Sequence, residues 1–441
     1  MTGTLTAFSG RTPDITGALT VDAKTLTDFA AWGEETLVAL PGKPERSPGQ
    51  QARADEVHRV SRWLRSRFMK VHAQNVYDTL TDGCTRDVRL DSLVSAAALE
   101  FPGLVPTRDQ LDAESTRMQA GKEGREIDQA IFFRGILKTL TSGIHLMESM
   151  LRPTRRALEL LPEFRRTGLL RLDSVDLDRD GTVANITIRN PHCLNAEDNR
   201  LTEDMETAVD LALLDDAVRV GTLRGCEMTH PRYAGRRVFS AGINLKELHA
   251  GRISYTGFLL GRELGFIHKI QRGLIVEDRA ETWPHRTLEK PWAAAVDTFA
   301  IGGGMQLLFV FDKVVAGDDS YFTLPAAQEG IVPGVANLRL GRLAGPRLAR
   351  QVILGGRRIG VRESAAELVC DEVVPAGEVG VALDRSAERL DNPAVVANRK
   401  MINLAEEPLD GFREYMAEFA LAQGLRLYSQ DVIVKVDRFS R

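Results

Sequence analysis

The sequence predicts an α/β chain in two parts, an all-helical N-terminal domain over residues 1–168 and an α/β domain over 169–441. Three observations lead there. Apolar residues recur at three- and four-residue steps through the first part, with hardly any alternation. Near Leu169 the period switches to two, and strand and helix patterns then alternate to the C-terminus. A glycine triplet, Gly302-Gly303-Gly304, joins an apolar run to a helical pattern, a junction where backbone can come close to a ligand because no Cβ intervenes.

The bounds on function are broad. At 441 residues the chain exceeds the usual single core, so two domains are expected. A net charge of −4 argues against nucleic acid as the main partner. No apolar run approaches the roughly 18 residues of a membrane span, so no membrane partner is expected. The opening MTGTLTAFSGRTPD lacks a basic region followed by an apolar core and does not read as a secretory signal. Cys84, Cys193, Cys226 and Cys370 are scattered without CxxC spacing, as expected for reduced thiols in a cytoplasmic protein.

In the first part, Val57, Val60, Leu64, Phe68 and Val71 predict one apolar face of a helix. Arg62, Arg65, Arg67 and Lys70 fall mostly elsewhere on it and read as a solvated face. A second helical stretch is predicted from Ile127 to Leu151, ended by Pro153. Within it His145 and Glu148 lie one turn apart, an ordinary polar contact in the absence of further metal ligands. In the second part, Val175 and Leu177, then Ile186 and Ile188, alternate with polar residues, and Asp178-Arg179-Asp180-Gly181 supplies a hairpin turn between them. The last helices, from about Leu409, are amphipathic and rich in Phe, Tyr and Leu.

The site begins at the glycine triplet. A helix that starts there points unpaired N–H groups toward whatever lies beyond its end. A second strand-to-turn-to-helix reading, Val238-Phe239-Ser240-Ala241-Gly242-Ile243-Asn244-Leu245, offers another such donor. Together the two segments resemble the crotonase, or enoyl-CoA hydratase/isomerase, superfamily at A-A-V-x-x-x-A-x-G-G-G-x-x-L and F-S-A-G-x-x-L. The resemblance continues through Leu194-Asn195-Ala196, Phe322-Thr323-Leu324-Pro325 and Gly330-Ile331-Val332-Pro333-Gly334, so it covers roughly residues 170 to 441. It implies a spiral core of repeated ββα units and an acyl-CoA thioester as ligand. It also implies C-terminal helices that build a homo-oligomer, a trimer or a dimer of trimers.

By that resemblance the N–H groups of Ile243 and Gly303 form an oxyanion hole for the thioester oxygen, with Gly304 adjacent and able to substitute. The backbone of Ala241, Gly242, Asn244 and Leu245 is expected along the coenzyme A, with Arg189, His192 and Arg236 as candidates for its phosphates. Glu197, which follows the L-N-A motif, Arg262 and Gln306 are the candidates to grip a polar substrate or order the site.

One departure stands out. Hydratases of the superfamily carry a proton-moving glutamate two residues after the third glycine, and another after the proline of F-x-x-P. Those positions here are Gln306 and Ala326. An amide is no general base near neutral pH, and a methyl group does nothing. Glu329, three residues on, reads as structural.

With both glutamates gone and a long helical N-terminal part, the chain resembles a subfamily of cofactor-independent dioxygenases from glycopeptide antibiotic biosynthesis, acting on an arylacetyl-CoA and O2. Coenzyme A is then part of the substrate, O2 the co-substrate, and no cofactor or metal is expected. An apolar lining from Ile243, Ile301, Leu324 and Val332 suits that chemistry and suits a plain core equally. Neither HxxxH, CxxC nor G-x-G-x-x-G spacing occurs to suggest a metal or a dinucleotide. A thioesterase or isomerase with another acid, or a degenerate coenzyme A binder, fits the same residues.

Overall fold

The computed structural model describes residues 12–438 apart from 278, 279, 281, 282, 284 and 285. Most of the N-terminal stretch read for a secretory signal lies outside the described residues. The chain divides into two compact units, Met1–Ser149 with Lys246–Thr256 and Phe412–Arg441, and Met150–Leu245 with Gly257–Gly411. That grouping departs from a cut at 168/169. The helix Arg155–Thr167 joins the second unit, and the chain's last helices join the first.

In the first unit, helix Pro48–Thr81 starts with a capping box. Ser47 accepts from the N–H of Gln50, and the Gln50 side chain accepts from that of Ser47. Val57, Val60, Leu64 and Phe68 are buried as their spacing predicts, but Val71 is 52% exposed. His72 takes the inward position instead, with Nε2 2.7 Å from Asp22 Oδ2. The expected basic face is only partly solvated. Arg62 and Arg65 both bind the buried Asp128, because this helix packs on two neighbours, Leu19–Val38 and Glu126–Lys138. The predicted 127–151 helix is two, Glu126–Lys138 and Leu140–Met150, broken where Thr139 turns extended (ψ 129°). His145 sets its Nδ1 2.8 Å from the Tyr77 hydroxyl.

The second unit carries the sheet. β1 (Leu169–Arg171), β2 (Val175–Asp180) and β3 (Val183–Ile188) are antiparallel. β2 runs on through the residues expected to turn: Asp180 pairs Val183, and Gly181-Thr182 alone makes the bend, Gly181 at φ +57°. Next come β4 (Val220–Gly225), β5 (Trp292–Val296) and β7 (Lys313–Gly317), with β10 (Glu372–Val374) at the far edge, all parallel from β3 onward. A smaller sheet runs in the order β9 (Ile359–Gly360), β8 (Tyr321–Thr323), β6 (Phe299–Ile301).

Parallel strands covered on both faces read as continuous apolar runs, and β5 is buried at every residue. Trp292, Ala294 and Val296 enter the main core. Ala293 and Ala295 face the other way, with Val379, Ala382 and Leu383. Burial thus fixes β5, and the glycine triplet issues from the end of β6, which follows it.

Candidate active site

Two segments meet beside the triplet. Ile301 N–H donates to Ser240 O at 2.9 Å, bringing the end of β6 against residues 240–243. Gly302 then bends with φ +56° and ψ −118°, a region open to glycine, and helix Gly303–Leu308 begins. Its first intrahelical bond is Gln306 N–H to Gly302 O at 3.0 Å, so the N–H groups of Gly303 and Gly304 precede the helical ladder.

Ile243 is placed by Glu197. Glu197 N–H donates to Gly242 O at 2.7 Å and Glu197 O accepts from Asn244 N–H at 2.8 Å. In such a parallel bridge the residue between, Ile243, turns its own N–H and C=O away from the partner strand. Gly242 lies close to the triplet: a Cβ there would stand 3.2 Å from Gly303 N.

Under these backbone groups sits a buried polar cluster. Arg262, 3% exposed, donates from Nε to Glu197 Oε2 at 2.5 Å and from Nη2 to Gly303 O at 2.7 Å. Its Nη1 reaches Gln306 Oε1 at 2.9 Å and Glu263 Oε1 at 3.0 Å. Glu197 also accepts from the Ser240 hydroxyl at 2.9 Å, and that hydroxyl accepts in turn from Gly242 N–H at 3.0 Å. Glu197 and Glu263 hold the guanidinium charged and raise its pKa, against the burial that opposes it. A Cβ on Gly303 would stand 2.7 Å from Glu197 Oε1 and 3.1 Å from Arg262 Nη2, so the triplet admits these side chains as well as a ligand.

The structure therefore brings together Glu197, Arg262 and Gln306 beside Ile243, Gly303 and Gly304. Ala326 is buried at the head of helix Ala326–Glu329 and Leu324 is fully buried. Two of the phosphate candidates are committed elsewhere. Arg189 donates to Asp176 and to Leu172 O, and Arg236 to Asp319. His192 stands in the short turn Pro191–Cys193, and Ala241, Asn244 and Leu245 are half-buried around Ile243.

Sequence reasoning missed Ser240, Glu263 and Gly334. The signal for Glu263 was present: two adjacent charges, Arg262 and Glu263, interrupt an apolar run from Phe258 to Phe266. Among the described residues no three His, Cys, Asp or Glu side chains are grouped to hold a metal ion. Nor, among them, is any helix long and apolar enough to cross a membrane.

Comparison with known proteins accords with this geometry. The enoyl-CoA hydratase/isomerase family model matches residues 178–410. Over 420 residues, 95% of this chain and 96% of the relative, the chain is 57% identical to (3,5-dihydroxyphenyl)acetyl-CoA 1,2-dioxygenase of Amycolatopsis orientalis. It is 30% identical over 268 residues, 59% of this chain and 93% of the relative, to carnitinyl-CoA dehydratase of Shigella flexneri. Among solved structures, an enoyl-CoA hydratase from Mycobacterium avium subsp. paratuberculosis shares the fold. Its TM-score is 0.50 at 23% identity, covering 61% of this chain and 100% of that one. The chain belongs to the enoyl-CoA hydratase/isomerase family.

Proposed function

We propose that this chain is a metal- and flavin-independent dioxygenase that converts (3,5-dihydroxyphenyl)acetyl-CoA and O2 to (3,5-dihydroxyphenyl)glyoxylate and coenzyme A. The observation that carries the reading is the similarity at 57% identity over 95% of the chain, helical part included, to the dioxygenase of that name. The sequence supports it: an amide, Gln306, and a methyl group, Ala326, occupy the positions where hydratases of the family move protons.

The chemistry follows from those residues. The N–H groups of Ile243 and Gly303, with Gly304 beside them, receive the thioester oxygen. Charge develops there as the Cα proton leaves, and preorganised donors are worth about 2.7–4 kcal/mol each at such a position. The aryl ring and the thioester share the resulting carbanion, which passes one electron to O2. Recombination forms a Cα–O bond, and the peroxide attacks the thioester carbonyl, expelling coenzyme A while the same donors hold the oxygen. Loss of the second Cα proton breaks the O–O bond and leaves the 2-oxo acid.

Water would protonate the carbanion, so the site must be dry. Leu324 and the flanks of Ile243, Ile301 and Val332 serve that need. In so apolar a pocket the ring hydroxyls need polar partners, and the Glu197–Arg262–Gln306 cluster supplies both donors and acceptors. Ala241, Gly242, Asn244 and Leu245 then border the coenzyme A, with His192 toward its phosphates. A homo-oligomer, trimer or dimer of trimers, in the cytoplasm completes the reading, and sedimentation of the purified protein checks the assembly.

An oxygen electrode tests the activity. Purified protein should consume O2 only when the arylacetyl-CoA is added. Coenzyme A release without O2 uptake would make the chain a thioesterase instead. If neither O2 uptake nor exchange of the Cα proton with deuterium occurred, the chain would be a binder.

A further inference from the structure

We propose that Glu263 is a positioning residue of this site, one that requires an amide at position 306 and sets which way that amide faces. The inference rests on the dioxygenase reading above for its kinetic consequences, and on the geometry alone for the pairing. Glu263 is 2% exposed. Both its oxygens accept from Gln306 Nε2, at 2.6 and 2.7 Å, and Oε2 also accepts from Val335 N–H at 3.2 Å. Arg262 Nη1 bridges the other ends, giving one bond to Glu263 and one to Gln306 Oε1.

That arrangement leaves Gln306 a single orientation. Its nitrogen must face Glu263 and its oxygen must face Arg262, since the flipped amide would set oxygen against carboxylate and nitrogen against guanidinium. It also couples any carboxylate at the same place to Glu263. Two carboxyl groups at hydrogen-bond distance in a buried site cannot both ionise freely, so they would share one proton and the basicity at 306 would be set by the pair. The missing base at 306 is therefore the property of a pair of positions.

A third position belongs to the pair. A Cβ on Gly334 (φ +49°) would stand 2.2 Å from both Glu263 Oε1 and Gln306 Nε2. Glycine there lets the chain pass over the bond between them, and Glu263 in return holds the next N–H of that chain. Glu263 thus ties helix Gly261–Leu264, helix Gly303–Leu308 and the 334–335 segment to one another.

The test is a cycle of Glu263→Gln, Gln306→Glu and the double variant, which exchanges carboxylate and amide while keeping one of each. Each is assayed for kcat and KM against pH and for thermal unfolding. Gln306→Glu should lose about 100-fold in kcat at pH 8, and the deficit should shrink about tenfold by pH 6 as the two carboxylates take up a shared proton. Glu263→Gln should lose roughly tenfold with less change in KM, because Arg262 Nη1 and Val335 N–H then meet an amide. The double variant should recover to within about tenfold of the parent and lose the extra pH dependence.

Unchanged kcat in Glu263→Gln, or a double variant no better than Gln306→Glu alone, would overturn the inference. Should a single variant fail to fold, recovery of folding in the double variant supports the pairing and its absence counts against it. If the parent itself consumes no O2, the functional reading fails, while the coupling between 263 and 306 remains readable from the melts.

Discussion

Replacing Arg262 by methionine tests whether the cluster under the glycine triplet is held by one cation. The side chain keeps its length and loses all four donated bonds, to Glu197, Glu263, Gln306 and Gly303 O. The carboxylate side chains are 7% and 3% exposed, so water does not replace the lost partner. Removing one member of a buried ion pair costs about 3–5 kcal/mol. Two anions share this cation, which pushes toward the upper end, but each keeps other donors: Ser240 for Glu197, and Gln306 with Val335 N–H for Glu263.

A loss of about 4 kcal/mol is the balance of those two effects, and at roughly 2–4 °C per kcal/mol for a unit of this size it lowers the melting temperature by about 8–16 °C. Arg262→Lys restores the charge but not the planar fork, so it should recover only part. Differential scanning calorimetry of the three proteins reads the result. A shift below about 3 °C in Arg262→Met would mean that the carboxylates do not depend on the guanidinium.

Other expectations bear on binding, the oxyanion hole and pH. Phenylacetyl-CoA, which lacks the ring hydroxyls, should show kcat/KM lower by about tenfold for each hydrogen bond the hydroxyls would make. Equal kcat/KM would take Glu197, Arg262 and Gln306 off the ring. Gly303→Ala sets a methyl 2.7 Å from Glu197 Oε1 and should cut kcat by about 10²–10³ through displaced oxyanion donors, whereas a change confined to KM would count against that role. In the first unit Glu123 is pushed up by burial, but hydrogen bonds from His58 and Arg46 outweigh this and hold its pKa at about 2 against an ordinary 4.5. A depressed carboxyl contributes stability above its unfolded value, and that stability is lost as pH falls from about 4.5 toward 2. Melts of the parent should therefore fall more steeply over this range than those of Glu123→Gln, and parallel curves would remove Glu123 as the cause.

How much of this was legible depended on whether the information was local. The period switch at Leu169 and the glycine triplet are local, and strands β2 and β3 and helix Gly303–Leu308 follow those signals, though β2 runs on into the residues expected to turn. Arg62 and Arg65 were misread because a basic residue on a helix says nothing of the carboxylate, Asp128, that another helix brings to it. Val71 and His72 exchanged places for the same reason, His72 being drawn inward by Asp22. In the site, Glu197, Arg262 and Gln306 were chosen by motif position, and they do meet. Glu263 escaped because it is charged and next to Arg262, a pattern common on helix surfaces. The break in the apolar run hinted at burial, but the partners of Glu263, in four hydrogen bonds from three segments, meet only once the chain is folded.

The proposed chemistry turns on a carbanion, held by the backbone of Ile243 and Gly303, that reacts with O2 itself. The most direct measurement supplies ¹⁸O2 to the metal- and flavin-free protein with (3,5-dihydroxyphenyl)acetyl-CoA and weighs the product. One O2 should be consumed per coenzyme A released, with both labelled atoms in the arylglyoxylate, one at the ketone and one in the carboxylate. Label absent from the carboxylate, or activity abolished by a chelator and restored by iron, would contradict it.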